Sequence, residues 1–400
     1  MRNLTFFMIF GLIISAYAGL NYYIGLRGWQ SLGRLIYFLP AKVYWPLFWV
    51  VALSYLGGRL GEKYLPETVS RGLTVLGAYW LAVMFYLVLV LVFVDIVRLL
   101  DRWLGLIPAA VKNHHLTYPA AGLLVIAVVA GIVGYGAWNA RHPRVTHYDL
   151  TAAKQAGTLK ELHIVMISDI HLGTIIGNRR LNRIVEEINK LHPDIVFLAG
   201  DVIDESVRAA VEEKMADTLR KLQPKLGTYA VLGNHEYIGG HAEEAVRYLE
   251  KAGIQVLRDR YVQVAGGFYV VGRDDRSGHM GSTKRKDLSV LLAGIDRSLP
   301  VILLDHQPVN LAEPASQGVD LQFSGHTHRG QLFPNHLITE RIYEDDWGYL
   351  RKGNLQVIVS SGVGTWGPPI RTGSYPEIVD VTLHFKNFPY TCRKKSNVVE

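Results

Sequence analysis

Two hydrophobic rhythms divide this 400-residue chain. Before about residue 140 the apolar positions run together. Leu4–Leu26, Val43–Gly58, Gly72–Val97 and Tyr118–Trp138 are nearly free of charge, and each approaches or exceeds the roughly 20 residues a helix needs to cross a bilayer. The second, with Pro46 near its start, is the weakest. Tyr22, Tyr23, Tyr44, Trp45, Trp103 and Trp138 sit at the ends, where interfacial aromatics belong. A cleaved leader would account for the first stretch only. The pattern predicts an all-α transmembrane region of about four helices over residues 1–145, a multi-pass protein of a plasma or inner membrane. Lys and Arg flank both faces equally, so charge does not orient it.

After that point short apolar runs end on polar residues. Leu162–Ser168 runs into Asp169-Ile-His171. Asp194–Ala199 runs into Gly200-Asp201, and Thr228–Leu232 into Gly233-Asn234-His235. Pro300–Leu304 delivers His306, and Leu321–Phe323 delivers Gly325-His326-Thr-His328. Between them, Asn178–Leu191 (Leu181, Ile184, Ile188, Leu191), a stretch to about Leu222 and His241–Lys251 have helical spacing. Strand, polar tip and helix in repetition predict an α/β sheet with its site at the carboxyl ends of the strands. Strands near Gln255–Val271 and Leu355–Thr382 predict a second sheet. A catalytic domain over 155–388 and a flexible basic tail over 389–400 (Arg393, Lys394, Lys395) complete the division.

Composition adds exclusions. The net charge of +7 is dispersed; Arg179-Arg180 and Lys284-Arg285-Lys286 lack interleaved aromatics and read as solvated faces, so no nucleic-acid partner is expected. Cys392 is the sole cysteine, which excludes an internal disulfide and a thiolate metal cluster. Asp95 lies three residues before Arg98 and reads as an interfacial ion pair.

The polar tips carry the chemistry. Asp169 and His171, two apart, share a face, and with Asp201 and His328 can hold one cation. Asn234, His306 and His326, again with Asp201, can hold another, the two oxygens of Asp201 bridging the pair. Nitrogen and oxygen donors without thiolate favour Mn, Fe or Zn for these two divalent ions, and such a pair suits phosphate-ester hydrolysis by an activated water. His235 is needed by neither ion and can protonate the leaving oxygen. Asp204 is its candidate orienting carboxylate, or else a helix cap. Glu236 is a candidate support for the ligands, and Arg371 a candidate phosphate binder or a loop salt bridge.

These motifs resemble the calcineurin-like metallophosphoesterase superfamily over about residues 160–385. The resemblance assigns the same seven metal ligands and gives His235 the proton role; it also implies a four-layer α-β-β-α sandwich. Gly325-His-Thr-His-Arg-Gly-Gln331 and Ser360-Ser-Gly-Val-Gly-Thr-Trp-Gly-Pro-Pro-Ile-Arg371 look like a membrane-associated bacterial phosphodiesterase subgroup, which implies an extracytoplasmic catalytic domain. The expected function is a membrane-anchored binuclear phosphoesterase acting on phosphodiesters or phosphomonoesters, lipid- or wall-linked ones included, with membrane lipids as further partners. The rivals are a lipid-precursor pyrophosphatase of the UDP-diacylglucosamine type, and a non-catalytic sensor or scaffold. Oligomeric state is not legible.

Overall fold

The computed structural model describes residues 2–33, 40–204, 206–280 and 285–386. Lys284, Cys392 and the expected tail lie outside the described residues. The described chain forms two compact units. One is Met1–Ala140 with Trp366–Thr372; the other is Arg141–Thr365 with the chain from Gly373 onward.

The first unit is helical: Arg2–Leu32, Ala41–Gly61, Glu67–Leu104, the single turn Ala109–Lys112, and Thr117–Asn139. Three of these, taken over Phe7–Leu32, Glu67–Leu104 and Thr117–Asn139, are long and apolar enough to cross a membrane. Ala41–Gly61 is helical as expected but is not among them, because Lys42, Arg59 and the aromatics Tyr44, Trp45 and Trp49 dilute its apolar run. It packs on Glu67–Leu104 through small residues. Ser70 donates to the Gly58 carbonyl at 2.8 Å, and a Cβ on Gly77 would strike the Tyr55 backbone. Without water to drive association, such close backbone approach is what holds membrane helices together. Asp95 does meet Arg98, at 3.5 Å, but its nearer partners come from the first helix: Arg27, and the Tyr23 hydroxyl at 2.7 Å.

The second unit is two six-stranded sheets. Its strands are β1 (Arg144–Ala152), β2 (Glu161–Ile167), β3 (Ile195–Ala199), β4 (Thr228–Val231), β5 (Gln255–Val256), β6 (Arg260–Val264), β7 (Phe268–Gly272), β8 (Val301–Leu304), β9 (Leu321–Ser324), β10 (Gly348–Lys352), β11 (Leu355–Val359) and β12 (Glu377–Phe385). The first sheet runs β1-β12-β2-β3-β4-β5 and the second β10-β11-β9-β8-β7-β6. Ile164, Phe197, Val231, Phe323, Ile358 and Val379 fill the space between the sheets. Helices cover both outer faces: Asn178–Lys190 buries Leu181, Ile184, Val185 and Ile188 against the first sheet, and Leu288–Leu291 lies against the second. This is the α-β-β-α layering that the resemblance implied.

Two local expectations are corrected, and one strand is unforeseen. The stretch after Asp201 forms two short helices, Arg208–Glu212 and Met215–Leu219. β5 and β12 both join the first sheet rather than the second, β5 parallel to β4 and β12 antiparallel to β2. β1 pairs with β12 from Arg144↔Glu377 to Ala152↔Phe385; its mixed exposed and half-buried positions hide it from hydrophobic periodicity.

The loop beyond β8 is held by buried charge. Asp305, next to His306, pairs with Arg285 and lies 3.7 Å from Arg273. Burial pushes the Asp305 carboxyl up, against the pull of both arginines. Removing Arg285 leaves the buried Asp305 charge with only the more distant Arg273, among the described residues, as its partner. Arg285→Ala is therefore expected to cost about 3 kcal/mol, read as a lowered melting temperature of the metal-free protein in detergent.

Candidate metal centre

Five strands end at one place. β2, β3 and β4 deliver Asp169, Asp201 and Asn234 from the first sheet, and β8 and β9 deliver His306 and His326 from the second. The tips are sewn together by backbone bonds: the Asp169 amide donates to the Gly200 carbonyl at 3.0 Å and the His171 amide to the Asp201 carbonyl at 3.0 Å. Asp169, His171, Asp201, His306 and His328 are buried, while Asn234 and His326 are half-buried at the mouth.

The donors converge in two sets. In one, the Nε2 atoms of His171 and His328 face each other at 3.2 Å, and His328 Nε2 lies 3.5 Å from Asp169 Oδ1. In the other, His306 Nε2 lies 3.1 Å from Asp201 Oδ2, and His326 Nδ1 lies 2.7 Å from Asn234 Oδ1. Asp169, His171 and His328 form one group with metal-ligand spacing and Asp201, His306 and His326 another; His171 also groups with Asp204 and His235. Asp201 stands between them. Its Oδ1 accepts from the His235 amide at 2.9 Å, which leaves Oδ2 facing His306 at 3.1 Å and His171 at 3.9 Å. Oδ2 is thus the Asp201 oxygen that faces both sets.

These atoms fit cations and fit little else. His306 Nδ1 lies 2.8 Å from the Ala199 carbonyl, which can only accept, so Nδ1 carries the proton. Nε2 of the neutral ring then points a lone pair at the lone pairs of Asp201. Only a proton or a metal ion makes that contact favourable. Burial alone would lower the His306 pKa, yet the adjoining Asp201 carboxylate raises it well above the usual imidazole range. Burial would conversely raise Asp201, and His306, His171 and His235 together hold it far below the usual carboxylate range. A divalent ion held by these residues would substitute for the proton, since ligands bind deprotonated.

The backbone is strained where the donors sit. Asp169 (φ 51°), His171 (53°), Asp201 (49°), His326 (73°) and His328 (49°) are all left-handed, a conformation that costs non-glycine residues about 1–2 kcal/mol each. Such strain concentrates where geometry is functional. Glycine is required beside them: a Cβ on Gly233 would strike Asp201 Oδ1, and one on Gly325 would strike Asp169 Oδ2. Gly233→Ala is expected to weaken metal binding about 10–100-fold by displacing Asp201, as measured by calorimetric titration of the chelated protein.

The remaining candidates separate. His235 is buried, with Nδ1 3.4 Å from Asp204 Oδ1; the same oxygen lies 3.7 Å from His171 Nδ1. The described helix that follows Asp204, Arg208–Glu212, has Val207 at its N-cap. Burial would lower the His235 pKa, but Asp204, Asp201 and Glu236 raise it. Glu236 accepts from the amides of Ile203 (3.0 Å) and Gly233 (2.8 Å), clamping the Asp201 and Asn234 loops together, and burial with nearby Asp201 pushes its carboxyl up to about 7. Arg371 is fully buried and falls in the helical unit, its amide donating to the Gly136 carbonyl at 2.9 Å. Tyr343 escaped the sequence reading; its ring stands edge-on to His326 at 6.1 Å, and no motif marks it.

A family model for calcineurin-like phosphoesterases matches residues 162–330. An uncharacterized metallophosphoesterase of Aquifex aeolicus is 37% identical over 66% of this chain and 99% of its own length. One of Campylobacter jejuni is 29% identical over 95% of this chain and 99% of its own. A Danio rerio protein named as a transmembrane protein with a metallophosphoesterase domain is 32% identical over 65% of this chain; the match spans 62% of that relative.

Proposed function

We propose that this chain, which belongs to the calcineurin-like phosphoesterase family, is a multi-pass membrane hydrolase that cleaves phosphodiesters or phosphomonoesters at a two-ion centre. It is a metal-dependent phosphoester hydrolase; the number of ions, the residue roles and the substrate class are our reading. The observation that carries it is the single oxygen Asp201 Oδ2, flanked by His306 Nε2 at 3.1 Å and His171 Nε2 at 3.9 Å.

Asp169, His171, His328 and Asp201 would hold one ion; Asp201, Asn234, His306 and His326 would hold the other. Cations held there would supply phosphoryl-charge neutralisation and water activation near neutral pH. The protein does the rest. His235, whose basicity the carboxylates around it raise, would give its proton to the departing alkoxide. Asp204 holds the His235 ring through Nδ1 and leaves Nε2 for the substrate. Glu236 fixes the distance between the Asp201 and Asn234 loops. A binding-only sensor would have no use for His235.

The test is hydrolysis of bis-p-nitrophenyl phosphate and p-nitrophenyl phosphate by the detergent-solubilised chain after chelation. Turnover restored by Mn, Zn or Fe is expected, and the ratio of the two rates gives the ester preference. Undiminished turnover in the chelated protein would refute the reading.

A further inference from the structure

We propose that the helix His336–Ile342 lies in the lipid–water interface and presents membrane-borne phosphoesters to the metal centre. Its polarity is reversed for a surface helix. Phe333, Leu337, Ile338 and Ile342 are 55%, 46%, 58% and 67% exposed. At 100° per residue, Leu337, Ile338 and Ile342 fall on one face with Arg341 between them. Thr339 and Tyr343 fall on the other and turn inward: the Thr339 hydroxyl donates to Asp346 at 2.6 Å, and the Tyr343 ring meets His326. A surface helix normally buries its apolar face; one that shows it to the outside suits a bilayer surface, with arginine extending its charge toward the headgroups. The other exposed large apolar side chains of this unit lie on five separate elements: Val211, Ile238, Tyr261, Val290 and Tyr349.

Two features choose lipid as the occupant. The chain itself carries three helices able to cross a membrane, and only residues 140–143 separate the last of them from β1. Fully extended, that linker reaches roughly 18 Å, so β1 begins within that chain distance of the last apolar helix. The helix is also wired to the ligands. It begins eight residues after His328, and Asp346 binds both Thr339, through its carboxylate, and Thr327, through its carbonyl at 2.6 Å. Thr327 is the residue between His326 and His328. A helix seated among headgroups would therefore bring lipid phosphoesters to the mouth that His326 lines.

The test uses the full chain in phosphatidylcholine vesicles, with an environment-sensitive fluorophore at I338C in a C392S background and a control at V290C. Lipids spin-labelled just below the headgroups should quench the label at 338 and not the one at 290. A label at 338 reached only by an aqueous quencher overturns the docking and assigns the stripe to a protein partner. The double substitution I338E/I342E, at exposed positions, should lower metal-dependent hydrolysis of vesicle-borne phosphatidyl-p-nitrophenol about tenfold or more and change bis-p-nitrophenyl phosphate turnover less than about twofold. Equal effects on the two substrates, or none, overturn the presentation role. This substrate comparison rests on the hydrolase reading. If the unsubstituted chain cleaves neither substrate with metal, that reading fails, and the fluorophore still decides the docking.

Discussion

Asp201→Asn is expected to abolish hydrolysis, lowering kcat/KM by about 1,000-fold or more, equivalent to about 4 kcal/mol. The change is nearly isosteric and keeps an acceptor for the His235 amide, so folding should survive. What it removes is the negative charge between His306 and His171. In a site this buried, that charge is what makes the cations' desolvation tolerable. Both ions should weaken together, because Oδ2 faces both donor sets. Substituting a ligand that belongs to one set, His328→Ala for example, should weaken one ion and largely spare the other. Metal content and rate measured side by side distinguish these outcomes, and an Asp201→Asn variant with full turnover would refute the bridging role.

His235→Ala is expected to act differently. Its side chain groups with His171 and Asp204 and lies outside the two proposed ligand sets, and its contact with Asp201 runs through the backbone amide, which alanine retains. Both metals should stay bound while turnover falls about 100- to 10,000-fold, the usual contribution of a positioned general acid. The loss should depend on the leaving group: large for an alkyl ester, whose alkoxide needs the proton, and smaller for a nitrophenyl ester, whose phenolate leaves without one. An equal loss on both esters would make His235 a structural residue instead. Asp204→Asn should give a weaker form of the same pattern, because it removes the charge beside His235 Nδ1.

The centre was legible because each donor terminates an apolar run. The rhythm of Leu162–Ser168, Asp194–Ala199, Thr228–Leu232, Pro300–Leu304 and Leu321–Phe323 places polar tips at strand ends, and the structure brings Asp169, His171, Asp201, Asn234, His306, His326 and His328 together there. Hydropathy could not show which oxygen of Asp201 faces both sets, because the choice depends on a backbone amide 34 residues away. β1 was missed for a similar reason: its partner β12 lies more than 230 residues on, and a partly exposed strand leaves no clean alternation. The grouping of Trp366–Thr372 with the helical unit had no signal either, since a Gly- and Pro-rich loop has no period to read. In Ala41–Gly61 the apolar run was visible and so was its weakness, and the described helix falls short of the other three as spans. The helix His336–Ile342 is too short for its reversed polarity to stand out from sequence alone.

The most direct test of the two-ion account is a titration. The chelated, detergent-solubilised chain is titrated with Mn while metal content and bis-p-nitrophenyl phosphate turnover are followed together. The account predicts that activity rises to saturation at about two equivalents per chain, and that Asp201→Asn neither retains the pair nor turns over. Full activity at one equivalent, or an Asp201→Asn variant that keeps both ions, would contradict a centre bridged by Asp201.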